Sequence, residues 1–325
     1  MPAPSDLLGA ESLSPLSGCQ LVVLGPGDPV PAAGVSVLVD RAGELPPVDP
    51  ARFDALVTTR GDAPAPWVSV AAERLDDQLA AITATAAQNP VATTMLARVL
   101  QLGEALDFEA ALEVESLAYS ALLGGGEFAR WLETAPREPS GVQAAEPVRY
   151  ARDGDSVTLT LASPGNRNAM TAAMRDALYE ALANVLEDPS LPSLTLRAEG
   201  RCFSTGGDLP EFGSARDLAA AHVIRTQRSC ARLLHRLGSR ASVVLNGACI
   251  GSGIEVPAAA ARRIGAGDLI VQLPELRMGL IPGAGGTVSV ARAIGRHRLM
   301  WLALGAFRIG AKQALSWGLI HEIAP

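Results

Sequence analysis

The second half of the chain alternates between short apolar runs and amphipathic segments, and this alternation constrains the fold more than any other feature. The apolar runs SVTLTLA (156–162), SLTLRA (193–198) and ASVVLNG (241–247) are predicted to be strands. Helical periodicity separates them over residues 170–188 and 219–237. Strands that alternate with helices of this length predict an α/β domain, in which helices pack on a sheet.

The first half of the chain has a different organisation. Residues 1–66 are rich in proline and glycine and carry short strand-like runs, which predicts a small β-rich N-terminal appendage. Residues 67–139 show helical periodicity, and this helical module is too thin to bury a core of its own. We therefore expect it to pack on another part of the chain. Residues 140–155 are predicted to be a linker, which leaves residues 156–325 as the α/β domain.

Composition and charge exclude several classes of function. A hydrophobic content of 48% is typical of a globular protein and excludes disorder as the main state. The net charge is −7 and Lys312 is the only lysine, which argues against nucleic acid or an anionic membrane as the main partner. We expect a cytoplasmic protein, because no apolar run approaches the roughly 20 residues of a membrane span and no signal peptide is visible. The four cysteines and four histidines lack paired spacing, so neither a disulfide framework nor a metal site is predicted.

Three glycine-rich turns follow predicted strands in the α/β domain, at residues 202–208, 246–255 and 282–287. Each turn alone is more often a simple strand-to-helix connection than a site. A dinucleotide or phosphate loop is not indicated, because the G-x-G-x-x-G and Gly-Lys-Ser/Thr spacings are absent. Two such turns can instead bring free backbone N–H groups to one point, where they would form an oxyanion hole.

Two glutamates complete this candidate site. Glu255 lies in the first turn of a predicted helix among apolar neighbours, and Glu275 lies in the apolar segment LPELRMGLIPG. Taken singly, each could be a helix-start charge or a solvated loop residue. As a buried pair, one carboxylate could hold water as a base while the other donates a proton.

Read together, four motifs resemble those of the crotonase superfamily, the enoyl-CoA hydratase/isomerase group. They are NRNAM (166–170), CFSTGGDL (202–209), NGACIGSGIE (246–255) and LPELRMGLIPGAGGT (273–287), in the order and spacing of the family. The resemblance implies a ββα spiral fold, an acyl-CoA thioester substrate and an oxyanion hole for the thioester carbonyl. It implies no cofactor beyond the coenzyme A of the substrate, and no metal.

Matched position by position, the resemblance places the two oxyanion-hole N–H groups on Gly207 and Ser252 and the two hydratase glutamates on Glu255 and Glu275. It therefore implies the hydration of a 2-enoyl-CoA, in which oxygen adds at C3 and C2 takes a proton. Ser252 stands where the family often has glycine. The substrate-binding residues implied by the same motifs are Arg167, Asn168, Ser204, Gly206, Asp208, Leu209 and Gly251.

The helical module extends the resemblance. Residues 73–139 resemble the helices that follow the spiral core in the family, whereas this sequence stops at Pro325, the last residue of the core. We therefore predict a circularly permuted crotonase that assembles as a homotrimer or hexamer; an unrelated helical extension is the alternative. The permutation predicts that Pro325 lies near residues 66–72.

Other functions fit the same residues. One is a different crotonase reaction, namely double-bond isomerisation, thioester hydrolysis or cofactor-free dioxygenation. Another is a non-catalytic, acyl-CoA-binding scaffold. The pocket walls are predicted to come from Phe212 and residues 213–225, and residues 1–66 carry no functional assignment.

Overall fold

The computed structural model describes residues 21–31, 34–135 and 141–324. Near the N-terminus, these residues form a parallel sheet. Its strands follow one another in chain order: β1 (Leu21–Leu24), β2 (Val35–Asp40), β3 (Ala55–Thr58) and β4 (Val68–Ser69). Every residue of β2 is buried. The sheet is therefore covered on both faces, which explains the continuous apolar run of β2.

This N-terminal sheet is part of the main hydrophobic core. Val35, Val37 and Val57 belong to the same apolar cluster as the second half of the chain, whereas Leu38 and Leu56 pack on the opposite side with Trp67. The expected appendage is thus, over its described residues, an integral layer of the fold. Neighbouring residues of β2 and β3 thus pack into two different apolar clusters, which the composition of the segment does not reveal.

Helices fill most of the predicted helical module. They are α1 (Ala72–Gln88), α2 (Pro90–Gly103), α3 (Phe108–Leu123) and α4 (Gly126–Thr134). Asn89-Pro90 separates the first two, because proline is favoured as the first residue of a helix. The side chain of Asp107 accepts a hydrogen bond from Ala110 N (2.8 Å) and so caps α3.

The strands of the second half form two further sheets. They are β5 (Val148–Asp153), β6 (Ser156–Leu161), β7 (Ser193–Ala198), β8 (Cys202–Ser204), β9 (Ala241–Leu245), β10 (Ala248–Ile250), β11 (Arg262–Gly265), β12 (Ile270–Gln272), β13 (Ile309–Gly310) and β14 (Glu322–Ile323). One sheet has the order β14-β11-β9-β7-β6-β5 and the other β13-β12-β10-β8. Apart from the β5–β6 and β12–β13 pairs, neighbouring strands are parallel.

The predicted linker is wrong over residues 148–155. Residues 148–153 form β5, which pairs along its whole length with β6. Most of β5 is exposed to solvent, so pairing of its backbone with β6 holds it in place and its side chains show no apolar pattern. Residues 136–139, the end of the predicted helical module, and residue 140, the first of the predicted linker, lie outside the described residues.

Seven helices of the second half lie within the described residues: α5 (Ala172–Glu187), α6 (Leu218–Gln227), α7 (Cys230–Leu237), α8 (Ser252–Glu255), α9 (Gly286–Ile294), α10 (Arg296–Gly305) and α11 (Ala311–Ser316). The sequence predicts one helix over 219–237, but the structure divides it into α6 and α7. Ser229 begins α7 by accepting a hydrogen bond from Arg232 N (3.2 Å).

Helix α10 was not predicted, and it joins the N-terminal sheet to the core. All ten of its residues are buried, so the segment has no polar face to produce helical periodicity. Its polar side chains reach carbonyls of the N-terminal layer: Arg296 Nη1 donates to Phe53 O (2.8 Å) and His297 Nε2 to Pro50 O (2.9 Å). Within the described residues, no helix has both the length and the apolar character needed to cross a membrane.

Candidate active site

The first and second glycine turns lie at neighbouring strand ends. Because β8 and β10 are parallel neighbours, their carboxyl ends meet at one edge of the sheet. Gly206 has φ +88°, and a Cβ there would lie 2.8 Å from Ile250 O. A Cβ at Gly253 would come within 3.0 Å of Ser204 O. Only glycine allows the two turns to approach this closely.

Two backbone N–H groups at this junction are left unpaired. No described residue accepts a hydrogen bond from Gly207 N or Ser252 N, and both residues line one cavity. The preceding amides are occupied, since Gly206 N donates to Ser204 Oγ (3.2 Å) and Gly251 N to Gln272 O (2.9 Å). The two amides free to bind a ligand are therefore those that the sequence predicts for an oxyanion hole.

Glu255 and Glu275 line the same cavity and are almost fully buried, with 2% and 9% of their surface exposed. Glu255 Oε2 accepts hydrogen bonds from Ala284 N (2.7 Å) and Gly286 N (3.1 Å) of the third glycine turn. Within the described part of the chain, Glu275 Oε2 is buried and has no partner.

The pKa values of Glu255 and Glu275 are higher than those of solvent-exposed carboxyl groups. Burial, followed by the nearby charges of Glu275 and Glu115, raises the pKa of Glu255 well above its usual value. Burial also raises the pKa of Glu275, to about 8. The cluster therefore retains protons at neutral pH, as a site needs if one carboxyl is to act as an acid and another as a base.

A third buried carboxylate, Glu115 of α3, was not predicted. Its Oε1 accepts a hydrogen bond from Gly285 N (2.7 Å), and its Oε2 accepts from Thr287 N (2.8 Å) and Thr287 Oγ1 (2.6 Å). Burial raises the pKa of Glu115 to about 7. The third glycine turn thus donates alternately to Glu255 and Glu115, so that Glu115 braces the turn that holds Glu255.

A signal for Glu115 was present in the sequence. It lies three residues after Leu112 and four before Tyr119, on the face of α3 that the apolar periodicity predicts to be buried. A glutamate in the middle of an apolar face is usually paired. Its partners could not be named, because they lie 170 and 172 residues away in the chain.

Some predicted substrate-binding residues line the cavity, namely Gly206, Asp208, Leu209 and Gly251. The side chain of Asn168 does not fit that role. It is fully buried, its Oδ1 accepts from Ser163 N (2.8 Å), and its Nδ2 donates to Glu199 O (2.8 Å) and Cys202 O (3.0 Å). Asn168 therefore braces the segment that leads into the first turn.

Ser204 and Arg167 also lie outside the cavity lining. Ser204 is fully buried and caps the first turn through its bond to Gly206 N. Arg167 is exposed at the surface and has φ +58°, and its carbonyl accepts a hydrogen bond from Thr205 N (3.2 Å). The backbone of Arg167 thus supports the turn, while its side chain stays in solvent.

The cavity has a volume of about 460 Å³. Phe212, Ala221, Ile224 and Arg225 line it, as predicted for the walls. The Phe212 ring closes tightly on the first turn, since a Cβ at Gly207 would lie 2.6 Å from it. The opposite wall, which was not predicted, comes from α3 and includes the side chain of Tyr119.

Residues 154–325 match the family model described as enoyl-CoA hydratase/isomerase. The chain belongs to this family. A Rhodobacter capsulatus relative named "Probable enoyl-CoA hydratase" is 35% identical over 181 residues, which cover 55% of this chain and 68% of the relative. The "Enoyl-CoA isomerase/hydratase fer4" of Mycosarcoma maydis is 32% identical, over 51% of this chain and 64% of its own length. The matches to these two relatives thus span about two thirds of the relatives' lengths.

Solved structures of the family have the same fold as the second half of the chain. The enoyl-CoA hydratase of Bacillus anthracis superposes with a TM-score of 0.51 and 26% identity, over 55% of this chain and 70% of that one. The enoyl-CoA hydratase of Thermoplasma volcanium gives a TM-score of 0.50 at 26% identity, over 55% and 72%. The predicted α/β crotonase fold is confirmed.

Proposed function

We propose that this family member hydrates a 2-enoyl-CoA thioester. The observation that carries the proposal is the convergence, in one cavity, of two unpaired N–H groups, on Gly207 and Ser252, with two buried carboxyls, on Glu255 and Glu275. The N–H groups suit a thioester oxygen that becomes negative in the transition state. The carboxyls suit the water and the proton that the reaction consumes.

We propose a separate role for each carboxyl, and their contacts support these roles. Burial raises the pKa of Glu255 overall, but two backbone N–H groups donate to its Oε2 and oppose that rise by favouring the carboxylate form. Glu255 is therefore the base that takes a proton from water as the water oxygen adds to C3. Glu275, with an unpartnered oxygen and a pKa of about 8, is the acid that gives its proton to C2 of the enolate.

Hydration of crotonyl-CoA tests the proposal, followed as the loss of enoyl-thioester absorbance. Glu255→Gln and Glu275→Gln should each lower kcat by about 10²- to 10⁴-fold, the usual contribution of a positioned acid or base. Glu187→Gln is the matched control, because Glu187 is exposed at the end of α5 and should leave kcat unchanged.

Measurements of the products, of oxygen uptake and of acyl-CoA binding separate the alternatives. An isomerase would interconvert 2-enoyl- and 3-enoyl-CoA without adding water, and a hydrolase would release free coenzyme A. A dioxygenase would consume oxygen, and a scaffold would bind acyl-CoA without turnover. Each of these results would overturn the hydratase assignment.

We also propose that residues 67–139 are the family's C-terminal helices in a permuted position. Their packing on the core supports this: Asn89 Nδ2 donates to Leu276 O (2.8 Å), and Glu115 binds the third glycine turn. Pro325 lies outside the described residues, so its proximity to residues 66–72 stays a prediction. A re-ordered chain in which residues 67–135 follow Ala324 should fold and keep its activity; failure to fold would contradict the permutation. The expected trimer or hexamer can be tested by light scattering of the intact protein.

A further inference from the structure

One wall of the cavity carries a cation that has no acidic partner. Arg225 of α6 lines the cavity, and no carboxylate of the described residues lies within 4.0 Å of its guanidinium. Nη1 donates to Ser116 O (3.3 Å), Ser116 Oγ (3.0 Å) and Ser120 Oγ (2.9 Å). Within the described part of the chain, the donors on Nε and Nη2 stay unused.

The acidic residue next to Ser116 on the facing helix already has other hydrogen-bond partners. Glu115 precedes Ser116 on α3, but both of its oxygens accept hydrogen bonds from the third glycine turn. Its charge acts on Arg225 only at a distance. The two serines therefore fix one nitrogen of the guanidinium and leave the other two to the cavity.

Tyr119 places this cation next to the reacting groups. The Arg225 guanidinium lies 4.6 Å from the centre of the Tyr119 ring, and the tyrosine hydroxyl has no hydrogen bond to any described residue. The ring packs so closely on Gly283 that a Cβ there would overlap it. The next residue, Ala284, donates its N–H to Glu255. The wall thus runs from Glu255 through Tyr119 to Arg225.

A guanidinium in this position favours an anionic ligand. Burial lowers the pKa of Arg225, and the charges of Tyr119 and Glu115 offset this only in part, so the guanidinium charge is partly removed from water without a carboxylate in direct contact. Free donors on two nitrogens of one planar group match the two oxygens of a carboxylate. The Tyr119 hydroxyl adds a third donor from the adjacent ring.

We propose that Arg225 and Tyr119 form a subsite for a carboxylate at the end of the acyl chain. On the hydratase function proposed above, on which this inference rests, the substrate is then a short 2-enoyl-CoA whose acyl group ends in a second carboxylate. An unsubstituted acyl chain would leave the donors of Arg225 unpaired. A site built to hydrogen-bond a substrate group discriminates strongly against the analogue that lacks it.

The test compares two enoyl-CoAs of similar length, crotonyl-CoA and the five-carbon analogue that ends in a carboxylate, glutaconyl-CoA. The intact enzyme should prefer glutaconyl-CoA in kcat/KM. Arg225→Met should lower this preference by about 10- to 100-fold, as expected for the loss of charge-assisted hydrogen bonds. Arg225→Lys, which keeps the charge but not the planar fork, should lower it less.

The control is Arg236→Met, because Arg236 pairs with Glu109 outside the cavity lining; its preference should equal that of the intact enzyme. If Arg225→Met weakens both substrates equally, or the intact enzyme shows no preference, the subsite is wrong. Thermal unfolding of each variant shows whether it is folded. If Arg225→Met does not fold, Tyr119→Phe replaces it in the test. This variant lacks only a hydroxyl and should lower the preference for glutaconyl-CoA several-fold.

Binding separates this inference from the reaction itself. Calorimetry with the saturated analogues glutaryl-CoA and butyryl-CoA needs no turnover. Tighter binding of glutaryl-CoA, lost in Arg225→Met, would support the subsite even if no hydration is found. Equal binding of the two analogues by the intact protein would overturn the subsite even if crotonyl-CoA is hydrated.

Discussion

Replacing Glu115 by glutamine tests whether the helical module takes part in building the site. The carboxylate of Glu115 accepts three hydrogen bonds of 2.6–2.8 Å from Gly285 and Thr287. Glutamine has one carbonyl oxygen, so its NH₂ group must face at least one backbone N–H of the turn. Above about pH 7, where Glu115 is ionised, one bond to a charged acceptor is then lost and a buried donor is left unpaired.

The expected loss of stability follows from these contacts. A hydrogen bond to a charged group contributes about 1.5–3 kcal/mol, and an unpaired buried donor costs about 1–3 kcal/mol. Because the two effects overlap and the turn can relax, we expect Glu115→Gln to lower the free energy of unfolding by about 2–4 kcal/mol. Chemical denaturation followed by circular dichroism measures this change.

Activity should fall as well, because the same turn holds Glu255 through Ala284 and Gly286. A displaced base slows the chemical step more than it weakens binding, so kcat should drop about 10- to 100-fold with little change in KM. Glu113→Gln is the matched control on the same helix, since Glu113 is 45% exposed and pairs with His222 and Arg232, which lie outside the third glycine turn and the cavity lining. If Glu115→Gln retains the stability and kcat of the intact enzyme, or Glu113→Gln loses as much, the bracing role is wrong.

Protonation of Glu115 adds a pH test. Its folded pKa of about 7 lies above the usual 4.5, so the folded state binds the proton more tightly than the unfolded state. The stability due to this group is fully present below pH 4.5 and is lost as the pH rises through about 7. Glu115→Gln should therefore flatten the decline in stability over this interval, which denaturation at several pH values would show. A decline unchanged in the variant would contradict the raised pKa.

Three further predictions concern the cavity. If Glu275 is the acid, kcat/KM should fall as the pH rises through about 8, and a pH–rate profile that stays flat to pH 9.5 would exclude this role. Ser252→Ala should keep kcat within about 3-fold, because only the backbone N–H is needed; a loss above 100-fold in the hydration assay would show that the hydroxyl takes part. Gly253→Ala should destabilise the fold by at least 1–3 kcal/mol, the typical cost of overpacking, since its Cβ would collide with the carbonyl of Ser204. An unchanged melting temperature would mean that the two turns are not in tight contact.

Local patterns in the sequence were sufficient for most of the α/β domain. Strand runs such as 193–198 and the amphipathic helix over 170–188 carry their own periodicity, and both form as predicted. The sequence pattern does not predict helix α10, because this helix is buried on every side. It does not predict strand β5 either, because this strand is exposed along most of its length. Neither element is amphipathic, and an alternation of apolar and polar residues is the main signal by which a single sequence predicts a helix or a strand.

By itself, the sequence determined the glycine turns, the two glutamates and hence the family to which the chain belongs. These features are local, because a glycine at positive φ or a glutamate in an apolar turn is visible in a few neighbouring residues. Only the tertiary structure decided that Glu115 and Tyr119 face the same cavity as Arg225, which lies in the segment predicted to form the cavity wall. Glu115 and Tyr119 lie on α3 and Arg225 lies on α6, far away in the chain, and burial of the apolar faces of these two helices brings the polar groups together.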